Sequence, residues 1–273
     1  MKLAEPINHI MIPDTQCRPG LRLDYMRWAG QYVADHFLAK HKPIKVIHIG
    51  DHWDMPSLSS YDRGTGKMEG RRVNQDIEAG NQGFALLDDP IQEAVAAEPD
   101  LAEILEKHFF FGNHEDRITR ATNNNPQLDG LLSLDLLDTR DWQRHDFLVP
   151  VAIDGVVYAH YFYNPMTGKP FSGENLMLRL KNLGHSFSMG HQQTYLTAER
   201  YVNGVQQRGL VAGSYYVHDE DYKGPQGNAH WRGLVVCHAV QNGHYEIMQV
   251  SLEYLCRRYE GVTLSRYKYR HYK

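Results

Sequence analysis

The chain has 273 residues, 42% of them hydrophobic, and a formal net charge of −4 at neutral pH. That length suits a single α/β domain with a substantial core, and the acidic balance argues against a generic nucleic-acid coat. No apolar run approaches a membrane span, and residues 1–10 lack the basic, apolar and small-residue order of a secretory leader.

Taken from the N-terminus, Ile7–Ile12 reads as a short buried strand that runs into Asp14-Thr15-Gln16. Leu23–Ala39 carries Tyr25, Trp28, Ala29 and Tyr32 on one side and predicts an amphipathic helix. Ile44–Ile49 predicts a second strand, rich in Ile and Val, leading into Gly50-Asp51-His52-Trp53-Asp54. Asn74–Leu87 and Pro90–Glu106 predict helices, with Pro90 and Pro99 suited to first-turn positions. His108–Phe111 predicts a third strand, ending at Gly112-Asn113-His114-Glu115, and Glu115–Thr122 and Leu128–Leu137 predict further helices. After Asp146 the pattern turns β-rich. Strands are expected at Phe147–Ile153, Val156–Tyr163, Phe187–Met189, Leu210–Ala212, Leu234–Ala239 and Tyr245–Val250, with hairpin turns at Asp154-Gly155 and Asn242-Gly243. His160 falls within this half, and Gly190-His191-Gln192-Gln193 follows one of its strands. Alternating β and α elements followed by a β-rich half predict an α/β fold with two sheets flanked by helices.

The polar clusters carry carboxylates, amide oxygens and imidazoles, all ligands for hard or borderline metals. Placed after consecutive strands, they would converge on one edge of a sheet, where α/β folds build their sites. Together they read as a two-metal centre that hydrolyses phosphate esters. Singly, Asp14 could be a turn residue and Asn113 a helix cap, and most of the 16 histidines sit in no motif and read as surface or hydrogen-bonded residues. Order, spacing and strand context taken jointly favour the site.

In that order and spacing the clusters resemble the calcineurin-like metallophosphoesterases, from Ile10 to about Leu252, and Ser57–Tyr61 with Asp76-Ile77 resembles their small phage- and prophage-encoded branch. The superfamily pattern is D-x-H, GDxxD, GNHE, a lone His, and GHxH; Gln16 and Gln193 stand here where His is usual. The resemblance implies a four-layer α/β/β/α sandwich of two mixed β-sheets flanked by helices, spanning residues 1–256, with 257–273 as a basic, Tyr-rich tail. It implies a first metal on Asp14, Gln16, Asp51 and Gln193, and a second on the shared Asp51 with Asn113, His160 and His191. It further implies attack by a bridging hydroxide, His114 as the acid that protonates the leaving oxygen, and Asp54 holding His114 in its tautomer. Neutral amide oxygens at 16 and 193 make the first site harder and weaker. Two divalent ions are expected, Mn²⁺ first, with Mg²⁺ suited to the first site and Zn²⁺ or Fe to the second.

Met55-Pro56 after Asp54, in place of Arg-Gly, disfavours a Ser/Thr protein phosphatase. The loop Tyr61–Arg72 offers Arg63, Lys67, Arg71 and Arg72, and Arg117 follows His114 by one turn; all could meet a phosphate, as could none of them beyond solvation. Residues 266–273 alternate basic residues with tyrosines, which suits either single-strand stacking or a solvated tail. The expected function is a phosphodiesterase or nuclease acting on DNA, RNA or nucleotides, with no membrane partner. The alternatives are a nucleotide or small-molecule phosphomonoesterase, and a degenerate domain that binds nucleic acid or protein without turnover. Cys17, Cys237 and Cys256 form no disulfide framework, so the expected compartment is a reducing cytoplasm, the host's for a phage gene. Oligomeric state has no signal in the sequence.

Overall fold

Successive residues of a strand face opposite sides of its sheet, and the central strands Ile7–Ile12 and Ile44–His48 are buried on both. The structure, a computed structural model, describes residues 6–220 and 223–272; Lys273, the end of the basic C-terminal stretch, lies outside the described residues. In chain order, β1 (Ile7–Ile12), α1 (Asp24–His36), β2 (Ile44–His48), α2 (Val73–Ala97), β3 (Leu105–Phe110) and α3 (Asp116–Asn124) form an alternating β/α half. There follow β4 (Gln143–His145), β5 (Val151–Ile153), β6 (Val156–Tyr158), a small hairpin of β7 (Tyr163–Asn164) and β8 (Lys169–Pro170), α4 (Leu176–Leu183) and β9 (Phe187–Met189). Last come β10 (Tyr195–Val202), β11 (Val205–Ala212), α5 (Gly224–Asn228), β12 (Gly233–Gln241), β13 (His244–Ser251), α6 (Leu252–Glu260) and α7 (Leu264–His271).

The strands make two mixed sheets. One is ordered β13-β12-β1-β2-β3-β4, with β1 to β4 parallel and β12 and β13 antiparallel. The other is ordered β10-β11-β9-β6-β5, with β6, β9 and β11 parallel. Alternation divides the core into separate apolar clusters. Ile10, Ile12, Val46, Phe109, Leu234 and Val236 pack with residues of α1, α2 and α6. Their neighbours Met11, Ile47, Phe110, Val235 and Cys237 pack instead with Val156, Tyr158, Leu210 and Ala212 of the second sheet. Ala159, Phe187, Met189 and Val211 meet Leu176 and Leu180 of α4. The sheets therefore lie face to face across a shared core, with helices on their outer faces.

Several elements differ from the pattern in the sequence. The expected break before Pro90 is absent: α2 runs unbroken from Val73 to Ala97 with Pro90 inside. Pro90 and Leu87 sit against Gly30 of α1 so closely that no Cβ fits there, so the proline side of α2 is packed into the helix–helix contact. The helix expected to reach Glu106 ends at Ala97; Pro99–Ile104 forms a 3₁₀ turn, and Leu105 and Glu106 enter β3 by pairing with Ile44 and Lys45 of β2. Leu128–Leu137 holds only short 3₁₀ turns at Pro126–Leu128 and Leu134–Leu136, with Gly130 at φ 78° between them. The strand expected from Phe147 starts only at Val151, after Leu148 turns at φ 65° and Pro150 passes. The strand expected to reach Tyr163 ends at Tyr158, which frees His160 from the ladder. Asn203-Gly204, at φ 51° and 79°, closes a β10–β11 hairpin by the chemistry recognised at Asp154-Gly155 and Asn242-Gly243. Residues 264–271, read as a tail, form α7: Tyr267 is buried edge-on to Trp28 and donates to Asp24 at 2.7 Å, and Lys268 pairs with Asp219.

Candidate metal centre

The candidate ligands follow parallel strands of both sheets: Asp14 and Gln16 after β1, Asp51 after β2, Asn113 after β3, His160 after β6, and His191 and Gln193 after β9. Loop-to-loop hydrogen bonds fix them. Thr15 and Gln16 donate their N–H groups to the Asp51 carbonyl at 3.2 and 3.0 Å, and Tyr215 N–H donates to the Asp14 carbonyl at 2.8 Å. Gln16, Asp51, His191 and Gln193 all hold left-handed backbone, at φ 43°, 53°, 66° and 60°, a local cost of the kind that sites carry. Glycine is required at two positions beside them: a Cβ at Gly112 would press on Asp51 Oδ1, and one at Gly190 on Asp14 Oδ1.

Asp51, His160 and His191 offer ligand atoms within 4.8 Å of one another. His160 Nδ1–H donates to the Ile49 carbonyl at 2.7 Å, which aims Nε2 at the site. That Nε2 lies 3.0 Å from Asn113 Oδ1 and 3.2 Å from Asp51 Oδ2, both acceptors, so a proton there occupies the place a cation would take. Burial disfavours a charged His160, but Asp51 outweighs it and holds the ring's pKa at about 9. Burial likewise opposes the charge on Asp51, yet the His114 and His160 rings keep its carboxyl well below the usual range. His191 goes the other way, lowered to about 4 by burial and then by the His160 charge, which leaves the neutral ring that binds metal. This buried group fits a divalent ion.

Around Asp14 the fit is partial. Asp14 Oδ2 and Gln16 Oε1 are buried without a hydrogen-bond partner, and burial followed by the Asp51 charge pushes the Asp14 carboxyl up to about 7. An orphaned carboxyl oxygen held against its own ionisation is a position for a cation. Gln193 Oε1, by contrast, accepts from Tyr216 Oη at 2.9 Å and from Lys223 Nζ.

His114 contacts Asp54 through Nδ1 at 2.9 Å and keeps Nε2 3.8 Å from Asp51 Oδ2. Burial opposes its charge, but Asp51 and the Asp54 hydrogen bond together raise its pKa above the ordinary value. Arg117 is anchored on the carbonyls of Asp54 and Met55 at 2.7 and 3.2 Å and points Nη2 at His114 Nε2, 3.0 Å away. Arg18 bridges Asp54 and Glu220 on the opposite side.

Gln16, Asp51, Asn113, His114, His191 and Gln193 open into one cavity of ≈ 880 Å³. Lys67, Arg71, Arg72 and Arg117 also line it, whereas Arg63 is exposed and outside the lining. Arg71 is held by Asp62 at 2.7 Å and the Pro56 carbonyl at 2.9 Å, so it shapes the loop as well as the rim. The sequence reading missed Glu115, whose oxygens accept from Gly112, Asp51, His52 and Trp53 N–H groups at 2.7, 3.1, 2.6 and 2.9 Å. Its place in Gly112-Asn113-His114-Glu115 was the available signal. Arg18, Tyr216, Glu220 and Lys223 lie in no motif and had none. No protein-family model matches this chain, and no curated protein matches it either.

Proposed function

We propose that this protein is a metal-dependent phosphoesterase of the calcineurin-like kind, and that it acts on phosphodiesters of nucleotides or nucleic acid. The observation that carries the reading is the convergence of Asp51, Asn113, His160 and His191, beside a His114–Asp54 pair, at the ends of parallel strands from two facing sheets. The two-sheet arrangement with outer helices agrees with the fold that the motifs imply.

Divalent ions, Mn²⁺ foremost, would polarise the phosphoryl group and supply a nucleophile at neutral pH. Asp51, Asn113, His160 and His191 would hold one ion, and Asp14 and Gln16 would contribute to another through buried oxygens that have no hydrogen-bond partner. Asp54 fixes the His114 tautomer, so Nε2 faces the cavity and can give its proton to the leaving oxygen. Arg117 Nη2 lies 3.0 Å from Nε2 while its Nη1 stays anchored on the backbone; a phosphate oxygen entering between them would accept from both Nη2 and the protonated Nε2. Lys67 and Arg72 on the cavity wall provide charge for further phosphates. A cavity of ≈ 880 Å³ exceeds what one phosphate group fills, which favours a diester with groups on both sides.

The test is hydrolysis of bis-p-nitrophenyl phosphate and p-nitrophenyl phosphate by chelator-stripped protein, with and without added Mn²⁺. Mn²⁺-dependent cleavage with the diester faster is expected. Preference for the monoester would overturn the substrate reading, and cleavage of neither would overturn the enzyme.

A further inference from the structure

Lys223 reaches into the candidate metal centre from outside every motif. It lies 30 residues beyond Gln193, and its Nζ donates to Gln193 Oε1 and sits 3.1 Å from Tyr216 Oη. Tyr216 Oη donates to the same Oε1 at 2.9 Å. A carbonyl oxygen has two lone pairs, whereas a neutral imidazole has a single acceptor nitrogen. Glutamine at 193 can therefore receive both donors at once, and with both in place no lone pair is left for an ion. Among the described residues, the carboxylates of Glu220 and Asp14 attract the Lys223 ammonium and the Arg232 guanidinium repels it. Asp14 is the carboxylate that an ion on Asp51, Asn113, His160 and His191 would leave least compensated, since its Oδ2 has no partner.

The geometry points to Lys223 as an internal cation that holds the Gln193 corner of the first metal position, so that the chain binds one divalent ion firmly and a second only in competition with this lysine. The inference rests on the metal-centre reading above and refines it: charge that a second ion would bring is supplied in part by the chain itself. It also gives the two glutamines a physical role. Gln193 is the acceptor that seats the ammonium, and Gln16, whose Oε1 is buried without a hydrogen-bond partner, is the neutral ligand that remains.

The test counts ions and needs no turnover. Mn²⁺ binding to the chelator-stripped full chain is followed by titration calorimetry, and by elemental analysis after equilibrium dialysis, for the wild type, Lys223→Met and Lys223→Arg. The wild type should bind one ion tightly and a second weakly. Lys223→Met should leave the first affinity unchanged and tighten the second by about tenfold or more, on the order of 1.4 kcal/mol. Lys223→Arg, which restores a cation, should resemble the wild type. Lys223 is half-buried on a loop next to a short helix, and the unchanged tight site reports that each variant is folded. A second ion that binds equally well to wild type and Lys223→Met would overturn the role of Lys223 while leaving the metal centre standing. Binding of no Mn²⁺ by any of the proteins would overturn the metal reading, and this inference with it.

Discussion

Replacing Glu115 by glutamine should cost this protein a large share of its stability and loosen the candidate metal centre. Glu115 is fully buried, and its two oxygens each accept two backbone N–H groups, Oε1 from His52 and Trp53 and Oε2 from Asp51 and Gly112. A glutamine amide can satisfy one of these pairs through its carbonyl but turns an NH₂ group toward the other. Two buried N–H donors then lose their acceptor, and the remaining two lose a charged one. An unmet buried donor costs about 1–3 kcal/mol and a hydrogen bond to a charged group contributes about 1.5–3 kcal/mol, so after relaxation the loss should be about 3 kcal/mol. Part of this is returned, because burial and the nearby Asp51 charge already raise the Glu115 pKa and make its ionised form costly. Denaturant unfolding of the metal-free protein measures the change directly. The same loop carries Asp51, so Mn²⁺ affinity should fall with it. A loss below about 1 kcal/mol would refute the view that this carboxylate organises the Asp51 loop, since that is what a single ordinary hydrogen bond provides.

His114→Ala should lower Mn²⁺-dependent hydrolysis by about 10²–10⁴ while Mn²⁺ stoichiometry stays unchanged, because its Nδ1 is spent on Asp54 and the role proposed for it is proton transfer; loss of metal together with activity would make it a ligand instead. Acid should destabilise the fold through His9, which burial lowers to about 4 against the pull of Asp154, with Lys45 and His108 also facing it. The unfolded ring titrates near 6.5, so only the unfolded state gains a proton as pH falls from about 6.5 to about 4, and stability declines through that window by about 3 kcal/mol. Urea unfolding at pH 7 and pH 4.5 should show a smaller difference for His9→Gln than for the wild type; equal differences would remove His9 as the cause.

The clusters around Asp14, Asp51, Asn113 and His191 were legible because each is a local event, a short apolar strand followed at once by a turn with polar side chains. The hairpin at Asn242-Gly243 was legible for the same reason, and the matching Asn203-Gly204 turn shows that β10 and β11 carried a readable signal as well. Residues whose state depends on distant packing were not. Pro90 sits inside α2 and packs against Gly30 of α1, and Leu105 enters a strand by pairing with β2. Residues 264–271 became a packed helix once Trp28 and Asp24 were there to receive Tyr267.

The sequence by itself determined that Asp14, Asp51, Asn113 and His191 follow short apolar strands, whereas folding brought the ends of strands from both sheets together and freed His160 beyond β6. The tertiary structure decided what each of them does. Asp51 is held ionised and Asp14 near neutrality because one faces two imidazoles and the other faces Asp51 in a buried setting. Gln193 meets Lys223 and Tyr216, although nothing in their separate stretches of chain announces the contact. Strand ends are set by local steric and hydrophobic periodicity, whereas charge state and competition for a lone pair are set by neighbours that only folding brings within a few ångströms.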